Sequence, residues 1–435
     1  MEIPRRRVGL VKDDREAKYI DKYVGCLQGV LVGDCLGAPF DSNFDDSHGA
    51  DDSFDYDVTT YLNNIRTNSV LPGPSAGRNH RATKGGSGRG YYCYTDVTAT
   101  TLCLAKSLIR KRRFEPADIA TRLTNEYFEN ESLDSEYGDA VRDVFRKWKH
   151  DGVHGDERLY GPARQQFGGM GSFGSGAAMR TAPVAIFLKD DLDAMIETTI
   201  LQAKMTHAHP TGICAAVLHA LALRDALLAE NSNGAFFDGV VLFDQLIERM
   251  EEIEEELDGF RPLTYKLHAA RKLLLDAAFP EHPPVESADL VRLLGNDMTA
   301  QGSVVTALAC YIFGCQENAN FKLINKSDNA FMRTLEAALR CGGDADTIAS
   351  MACSLVGARK GARIIPAIVL RQCQAVETVT KVIGPVKMIL TTSHLENLSR
   401  FRRLSSRNVC HIRIRKMRLW YAKTKRESSA LLYHL

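Results

Sequence analysis

The chain predicts an all-α fold, and three observations carry that expectation. Apolar residues return at helical spacing in segment after segment. Strand-type alternation is nearly absent. The 435 residues are 45% hydrophobic, enough for one large buried core. Length alone would allow two or three domains, but no clear boundary interrupts the helical pattern before about residue 390.

The elements follow in order. Tyr19–Leu36 predicts a helix in which Gly25, Gly29 and Gly33 allow close packing. Phe40–Tyr61 is crowded with acids (Asp41, Asp45, Asp46, Asp51, Asp52, Asp55, Asp57) and poor in periodicity. Leu71–Gly90 is rich in Gly, Pro and Ser. Together these two stretches predict a long loop of the kind that usually serves function or stays disordered. Helical spacing resumes over Thr95–Leu108, Pro116–Glu126 and Asp139–Lys149. A glycine-rich loop, Gly168–Gly176, precedes an apolar helix from Ala177. Further helices are expected over Ala194–Thr206, Pro210–Leu228, Phe243–Glu256, Tyr265–Ala278, Ser287–Leu294, Gln301–Gly314, Asn329–Arg340 and Thr347–Gly357. The tail from about Ser393 leaves two options open, a basic helix or a poorly ordered extension. The expected organisation is therefore an N-terminal extension (1–21), one helical domain (22–390) and a basic C-terminal extension (391–435).

Composition excludes several classes. No apolar run reaches the roughly 18 residues that suggest a membrane helix, so no membrane role is expected. Residues 1–16 carry Arg5, Arg6 and Arg7 without an apolar stretch, unlike a secretory signal. Asp13, Asp14 and Glu16 also argue against a mitochondrial leader. Eleven cysteines are scattered without a CxxC pair, which predicts reduced, mostly buried thiols and no zinc site. The expected compartment is the cytosol or nucleus, with the mitochondrial matrix left open, and the expected state is a monomer. The net charge of +1 hides an asymmetry: eleven bases and one acid fall within residues 400–427, so the main body is acidic. Trp420 and Tyr421 lie among those bases. The tail is either a nucleic-acid or polyanion contact or a bland extension.

Four constellations carry chemistry. Thr95, Asp96 and Thr98 open a helix, where they can cap free N–H groups or ligate a hard cation. Gly342-Gly343-Asp344-Ala345-Asp346-Thr347 puts two carboxylates on one turn, which repel unless a cation or solvent separates them. The exposed acidic turn is the alternative. The loop Gly168–Gly176 lacks the lysine of a P-loop, yet its backbone N–H groups can cradle an anion. Phe167 and Phe173 flank it and can stack on a base. His207 and His209 sit at a helix break, either structural or metal-binding.

The order of these motifs resembles the ADP-ribosylglycohydrolase family. The run is Gly33-Asp34-Cys35-Leu36-Gly37, Tyr94-Thr95-Asp96, Gly174-Ser175-Gly176-Ala177-Ala178-Met179-Arg180, Thr206-His207 and Gly342–Thr347. Tyr137-Gly138 and Pro162–Phe167 are similar to the branch that removes serine-linked ADP-ribose and degrades poly(ADP-ribose). The resemblance implies an all-α domain with a metal-binding loop cluster holding two Mg²⁺ ions. It implies ADP-ribosylated proteins or poly(ADP-ribose) as partners. It implies that Asp41, Thr95, Asp96, Asp344, Asp346 and Thr347 are metal ligands and that Asp41 and Asp96 are catalytic. Asp96, Phe167, Met170, Gly171, Ser172, Phe173, Gly174, Ser175, Gly176, His207 and Met298 would contact substrate.

Four residues depart from the family pattern. Val97 stands where the family has a second aspartate, Asp41 where it has a mobile glutamate, Ser175 where it has asparagine, and Ala345 where it has threonine. The resemblance therefore implies a hydrolase. The alternatives are an ADP-ribose-binding relative impaired by Val97 and a structural protein that retains only the fold.

Overall fold

The computed structural model describes residues 11–41, 52–67, 83–84, 90–130, 133, 136–230, 237–257, 259–279, 281–316, 320–322 and 329–382. The helices are α1 (Val11–Gly37), α2 (Asp52–Arg66), α3 (Asp96–Lys111), α4 (Pro116–Glu129), α5 (Asp139–Asp151), α6 (Asp156–Arg164), α7 (Gln166–Gly169), α8 (Ala182–Leu188) and α9 (Leu192–Lys204). They continue with α10 (Pro210–Leu228), α11 (Gly239–Leu257), α12 (Pro262–Asp276), α13 (Ser287–Leu294), α14 (Ala300–Cys315), α15 (Ala330–Cys341), α16 (Ala345–Lys360) and α17 (Ala367–Leu370). Among the described residues, the strands are two dipeptides, Thr83–Lys84 paired antiparallel with Gly90–Tyr91. The expected all-α class holds.

The core is built around α1, α10, α14 and α16. Nearly every side chain of α14 and α16 is buried, which fits helices apolar on all sides. The most extensive contact joins α1 to α16. Gly25, Gly29, Gly33 and Gly37 recur every four residues along one face of α1. A Cβ on Gly29 would lie 2.3 Å from the Cys353 carbonyl oxygen, and one on Gly33 2.3 Å from that of Ala349. The two backbones thus touch where side chains would otherwise hold helices 8–10 Å apart. At the other end of α1, the buried Lys22 ammonium donates to the carbonyls of Ala226, Leu227 and Ala229, closing the C-terminus of α10.

Several expectations need correction. The stretch expected as one long loop contains α2. Its apolar positions Val58, Tyr61, Leu62 and Ile65 follow helical spacing and are buried, but the preceding acids obscured them. Two helices, Tyr19–Phe40 and Pro210–Leu228, are long and apolar enough to cross a bilayer by length and composition, contrary to expectation. Their apolar windows are 89% and 78% buried inside the fold, as core helices are. After the glycine loop comes a single tight turn, Ser175–Ala177, and the next α-helix begins only at Ala182. α1 starts at Val11 rather than Tyr19, and α6 has no counterpart in the expected elements. Ten cysteines are free thiols and nine are buried, as expected; Cys410 lies outside the described residues. Asp45, Asp46 and the basic tail also lie outside them.

The α1–α16 contact makes a direct prediction. Gly33→Ala forces a Cβ into the backbone of α16 and is expected to cost about 2 kcal/mol or more. Gly138→Ala, where a Cβ meets nothing within 4 Å, should cost less than about 1 kcal/mol. Urea unfolding of both variants checks the contrast.

Candidate metal centre and glycine loop

Carboxylates from both ends of the chain converge where α1, α3 and α16 meet. Asp34, on α1, is fully buried. Its Oδ1 accepts the Thr95 N–H at 3.0 Å and the Thr95 hydroxyl at 2.8 Å, and its Oδ2 accepts the Thr98 N–H at 2.9 Å. The same Thr95 hydroxyl lies 3.1 Å from Asp346 Oδ2, so one hydroxyl proton serves two carboxylates. Thr95 also caps α3, accepting the Val97 N–H at 3.3 Å. The capping and ligand readings of that motif thus coexist in one residue. On the second motif, Asp346 Oδ1 accepts the Thr347 N–H at 2.6 Å. Asp344 Oδ2 accepts the Ser175 hydroxyl at 3.1 Å.

Ligand oxygens of Asp41, Asp344 and Asp346 lie within 4.8 Å of one another. Asp344 and Asp346 are buried, while Asp41 is exposed. The shorter side chain of Asp41 therefore still reaches the cluster. Asp96 keeps an accessible edge beside it.

The electrostatics are adverse. Burial, and then Asp346, push the Asp34 carboxyl up to about 7 against the hydrogen bonds that lower it. Burial first, then Asp346, Asp34, Glu136 and Asp41, raise Asp96 well above the usual carboxylate range. Burial, then Asp346 and Asp41, do the same to Asp344. Such a cluster persists only with protons or a cation in it. The N-termini of α3 and α16 point their positive ends into it and offset part of the charge. Buried carboxylate and hydroxyl oxygens are the donor set that hard divalent cations take, so these residues fit one.

The glycine loop lies against this cluster. Its backbone runs through the left-handed region at Phe167, Gly168, Gly169 and Gly171. A Cβ on Gly171 would sit 2.6 Å from the His209 nitrogen. The Ser175 N–H donates to Met298 O at 3.0 Å, and the Ala300 N–H to Phe173 O at 2.9 Å. The amides of Met170, Gly171, Gly174 and Ser175 are engaged internally, so the anion cradle is narrower than the loop's length suggests. Ser172, Phe173 and Gly176 supply the amides with no internal partner among the described hydrogen bonds. The Phe167 and Phe173 rings lie 5.7 Å apart at 42°. They are 49% and 41% exposed, with Met170 and Met298 exposed on the same rim.

His207 sits behind the loop, and its ring is what a Cβ on Gly174 or Gly176 would meet. The Thr206 hydroxyl accepts from Arg180 at 2.7 Å and lies 2.8 Å from His207 Nδ1. The direction of that bond follows the imidazole tautomer, and Nε2 faces the loop. Burial, then Arg180, push the imidazole down to about 3 and keep it neutral. His209 instead caps α10, accepting the Thr211 N–H at 3.2 Å. The two histidines have separate roles.

Comparison with known proteins decides the family. The family model described as ADP-ribosylglycohydrolase matches residues 15–398. The chain belongs to the ADP-ribosylglycohydrolase family. It is 32% identical over 374 residues to a Bos taurus protein named ADP-ribosylhydrolase ARH3, covering 83% of this chain and 91% of that one. The Gallus gallus protein of the same name is 33% identical over 364 residues, with the same shares of each chain covered. A solved chain of an ADP-ribosylglycohydrolase-related protein complex aligns with a TM-score of 0.50 at 22% identity, over 86% of this chain and 99% of that one. That likeness speaks to the fold alone. The family is one of metal-dependent hydrolases, and this chain carries an aspartate cluster suited to a metal ion.

Three family departures acquire a structural setting. Val97 is fully buried in the hydrophobic core. Ser175 spends its hydroxyl on Asp344. Ala345 is buried, and its carbonyl oxygen lies 2.5 Å from where a Cβ on Gly37 would stand. The expected site residues did not include Asp34, Arg180 or Asn296. Asp34 and Arg180 lay within motifs already notable for their glycines, whereas Asn296 gave no local signal.

Because Asp34, Asp96 and Asp344 have raised values when folded, the metal-free fold holds protons that the unfolded chain releases. The stability they contribute is present at low pH and lost as pH rises; for Asp34 the window runs from about 4 to about 7. Melting temperature in EDTA should fall across that window, while stabilisation by added Mg²⁺ should grow. Differential scanning fluorimetry at several pH values, with EDTA and with Mg²⁺, tests both slopes.

Proposed function

We propose that this chain is a Mg²⁺-dependent hydrolase of the ribose C1″ bond in ADP-ribose conjugates. The substrates are proteins carrying serine-linked ADP-ribose, or poly(ADP-ribose). The observation that carries the reading is the hydrogen bond from Ser175 to Asp344. It makes the anion cradle and the carboxylate cluster neighbours, so a diphosphate in the loop directs the distal ribose toward the carboxylates.

The residues divide the work. Phe167 and Phe173 offer their faces to adenine. The free amides of Ser172, Phe173 and Gly176, with Nε2 of neutral His207, face the diphosphate and the sugar beyond it. Asp41, Thr95, Asp96, Asp344, Asp346 and Thr347 would hold the cation, or two cations as the family resemblance implies. Bound there, a divalent cation orients ribose hydroxyls and polarises the attacking water. The bond to C1″ breaks through an oxocarbenium-like state. Water adds at C1″ as the bond to the serine oxygen breaks; the solvent-facing carboxylate of Asp41 takes the water proton and gives it up to the departing oxygen, so that serine leaves as its free hydroxyl. Asp96, close enough to Asp41 to interact with it through space, would contact the ribose.

One observation favours a second reading, an ADP-ribose-binding relative without turnover. Val97 sits in the core and supplies no ligand oxygen where the family has a carboxylate. Release of ADP-ribose from a serine-ADP-ribosylated peptide, measured with Mg²⁺ and with EDTA, separates the two. The hydrolase reading expects Mg²⁺-dependent turnover that falls more than about 100-fold in Asp346→Asn, since even outer-shell changes cost 10–100-fold. Silence from the native chain, with turnover in Val97→Asp, would establish the second reading instead.

Binding of ADP-ribose gives an independent check. Phe173→Ala removes one aromatic face and should weaken affinity roughly 5- to 100-fold by calorimetry.

A further inference from the structure

Residues 295–300, which include Met298 on the rim of the loop, join the two halves of the site. At one end, the Asn296 carbonyl accepts the Asp344 N–H at 2.7 Å, and its side-chain Nδ2 donates to Cys341 O at 2.8 Å. Asn296 thereby brackets the Gly342-Gly343 turn that aims the carboxylates. The fit leaves no slack: Gly343 has φ +68, and a Cβ there would lie 2.1 Å from Asn296 O. Two residues later the same segment grips the glycine loop. Met298 O accepts the Ser175 N–H at 3.0 Å, and Ala300 N–H donates to Phe173 O at 2.9 Å.

Further hydrogen bonds hold the segment at both ends and between these grips. Thr306 donates its hydroxyl to Gly295 O at 2.7 Å. Lys266 donates to Gln301 O at 3.0 Å and to Leu294 O. Asp297 accepts the Thr299 N–H at 2.8 Å and the Thr299 hydroxyl. A displacement of the Asp344 turn therefore moves Asn296, and through Met298 and Ala300 moves the backbone of Phe173 and Ser175.

We propose that residues 295–300 couple the metal centre to the anion-binding loop, with Asn296 as the positioning residue that transmits occupancy of the carboxylate cluster to the loop. The inference rests on the metal-site reading above and extends it. Coupling between two sites is a free-energy linkage that must pass through elements both sites bias. Here the element is a single hydrogen-bonded segment. The direct Ser175–Asp344 contact is a parallel link through one side chain.

Amide hydrogen exchange tests the proposal with Mg²⁺ alone as probe and no nucleotide present. In the native chain, Mg²⁺ should slow exchange in the peptide spanning residues 170–178 about fivefold or more. Asn296→Ala removes the Nδ2 bond to Cys341 O that holds the Asn296 carbonyl against the Asp344 turn; it should abolish most of that protection, while peptides from α10 and α14 exchange as in the native chain. Ser175→Ala, which removes only the parallel link, should keep most of it. No Mg²⁺ effect on 170–178 in the native chain, or full protection retained in Asn296→Ala, would overturn the proposal. So would uniform loosening of every helix in Asn296→Ala, the mark of a merely structural role. Loss of protection in Ser175→Ala but not in Asn296→Ala would assign the coupling to the side-chain contact instead. ADP-ribose affinity of the native chain, measured alongside, keeps the two ideas apart: failure to bind ADP-ribose refutes the substrate reading and leaves the Mg²⁺ protection result intact.

Discussion

The close approach of α1 to α16 is the constraint on which the site depends. The glycine face of α1 lets the two backbones touch, and that contact sets the register of one helix against the other. Asp34 follows Gly33 on α1, and Asp346 occupies the first turn of α16. Any side chain between the helices would move these carboxylates apart by ångströms, and the shared Thr95 hydroxyl could no longer reach both. The glycines are therefore as much part of the site as the acids are, although none of them offers a ligand.

That geometry sets up an energetic conflict. Several carboxylates are gathered in or beside a buried pocket, where burial and then Asp346 raise the proton affinity of Asp34, Asp96 and Asp344. Three things offset the conflict within the protein: helix N-termini, the amides of Thr95, Thr98 and Thr347, and the hydroxyls of Thr95 and Ser175. None of them supplies a full positive charge. The buried Arg180 guanidinium attracts Asp96 through space, but its hydrogen bonds go to Gln202, Thr206 and Gly176 O on the histidine side of the loop. Among the described residues, the donor set at Asp344 and Asp346 suits a divalent cation.

The helical class was legible because apolar spacing survives in one sequence; α10 and α14 appeared at nearly their true bounds, whereas α1 begins well before the apolar spacing that marked it. The two acidic motifs and the glycine loop stood out because glycine and aspartate are conspicuous in such company. What failed did so for physical reasons. α2 was hidden because its acidic first turns mask the buried stripe of Val58, Tyr61, Leu62 and Ile65. Asp34 looked like one member of a glycine-rich run, since nothing local shows that a carboxylate will meet amides more than sixty residues away. Asn296 was invisible because its work is done by a backbone carbonyl, which every residue carries, and by one amide in a place that only the fold defines.

The pairing of α1 with α16 also bears on how the molecule comes into being. The Ser350 hydroxyl bonds to the Val30 carbonyl across 320 positions of chain, and Thr95 meets Asp346 across 251. Contacts of such separation form late, because a long loop must close before they repay its entropy. During synthesis, the glycine face of α1 leaves the ribosome long before its partner exists. It must wait, uncovered, while most of the polypeptide is made. The carboxylate cluster is therefore among the last features to assemble, and a nascent chain that stops short of α16 contains no version of it.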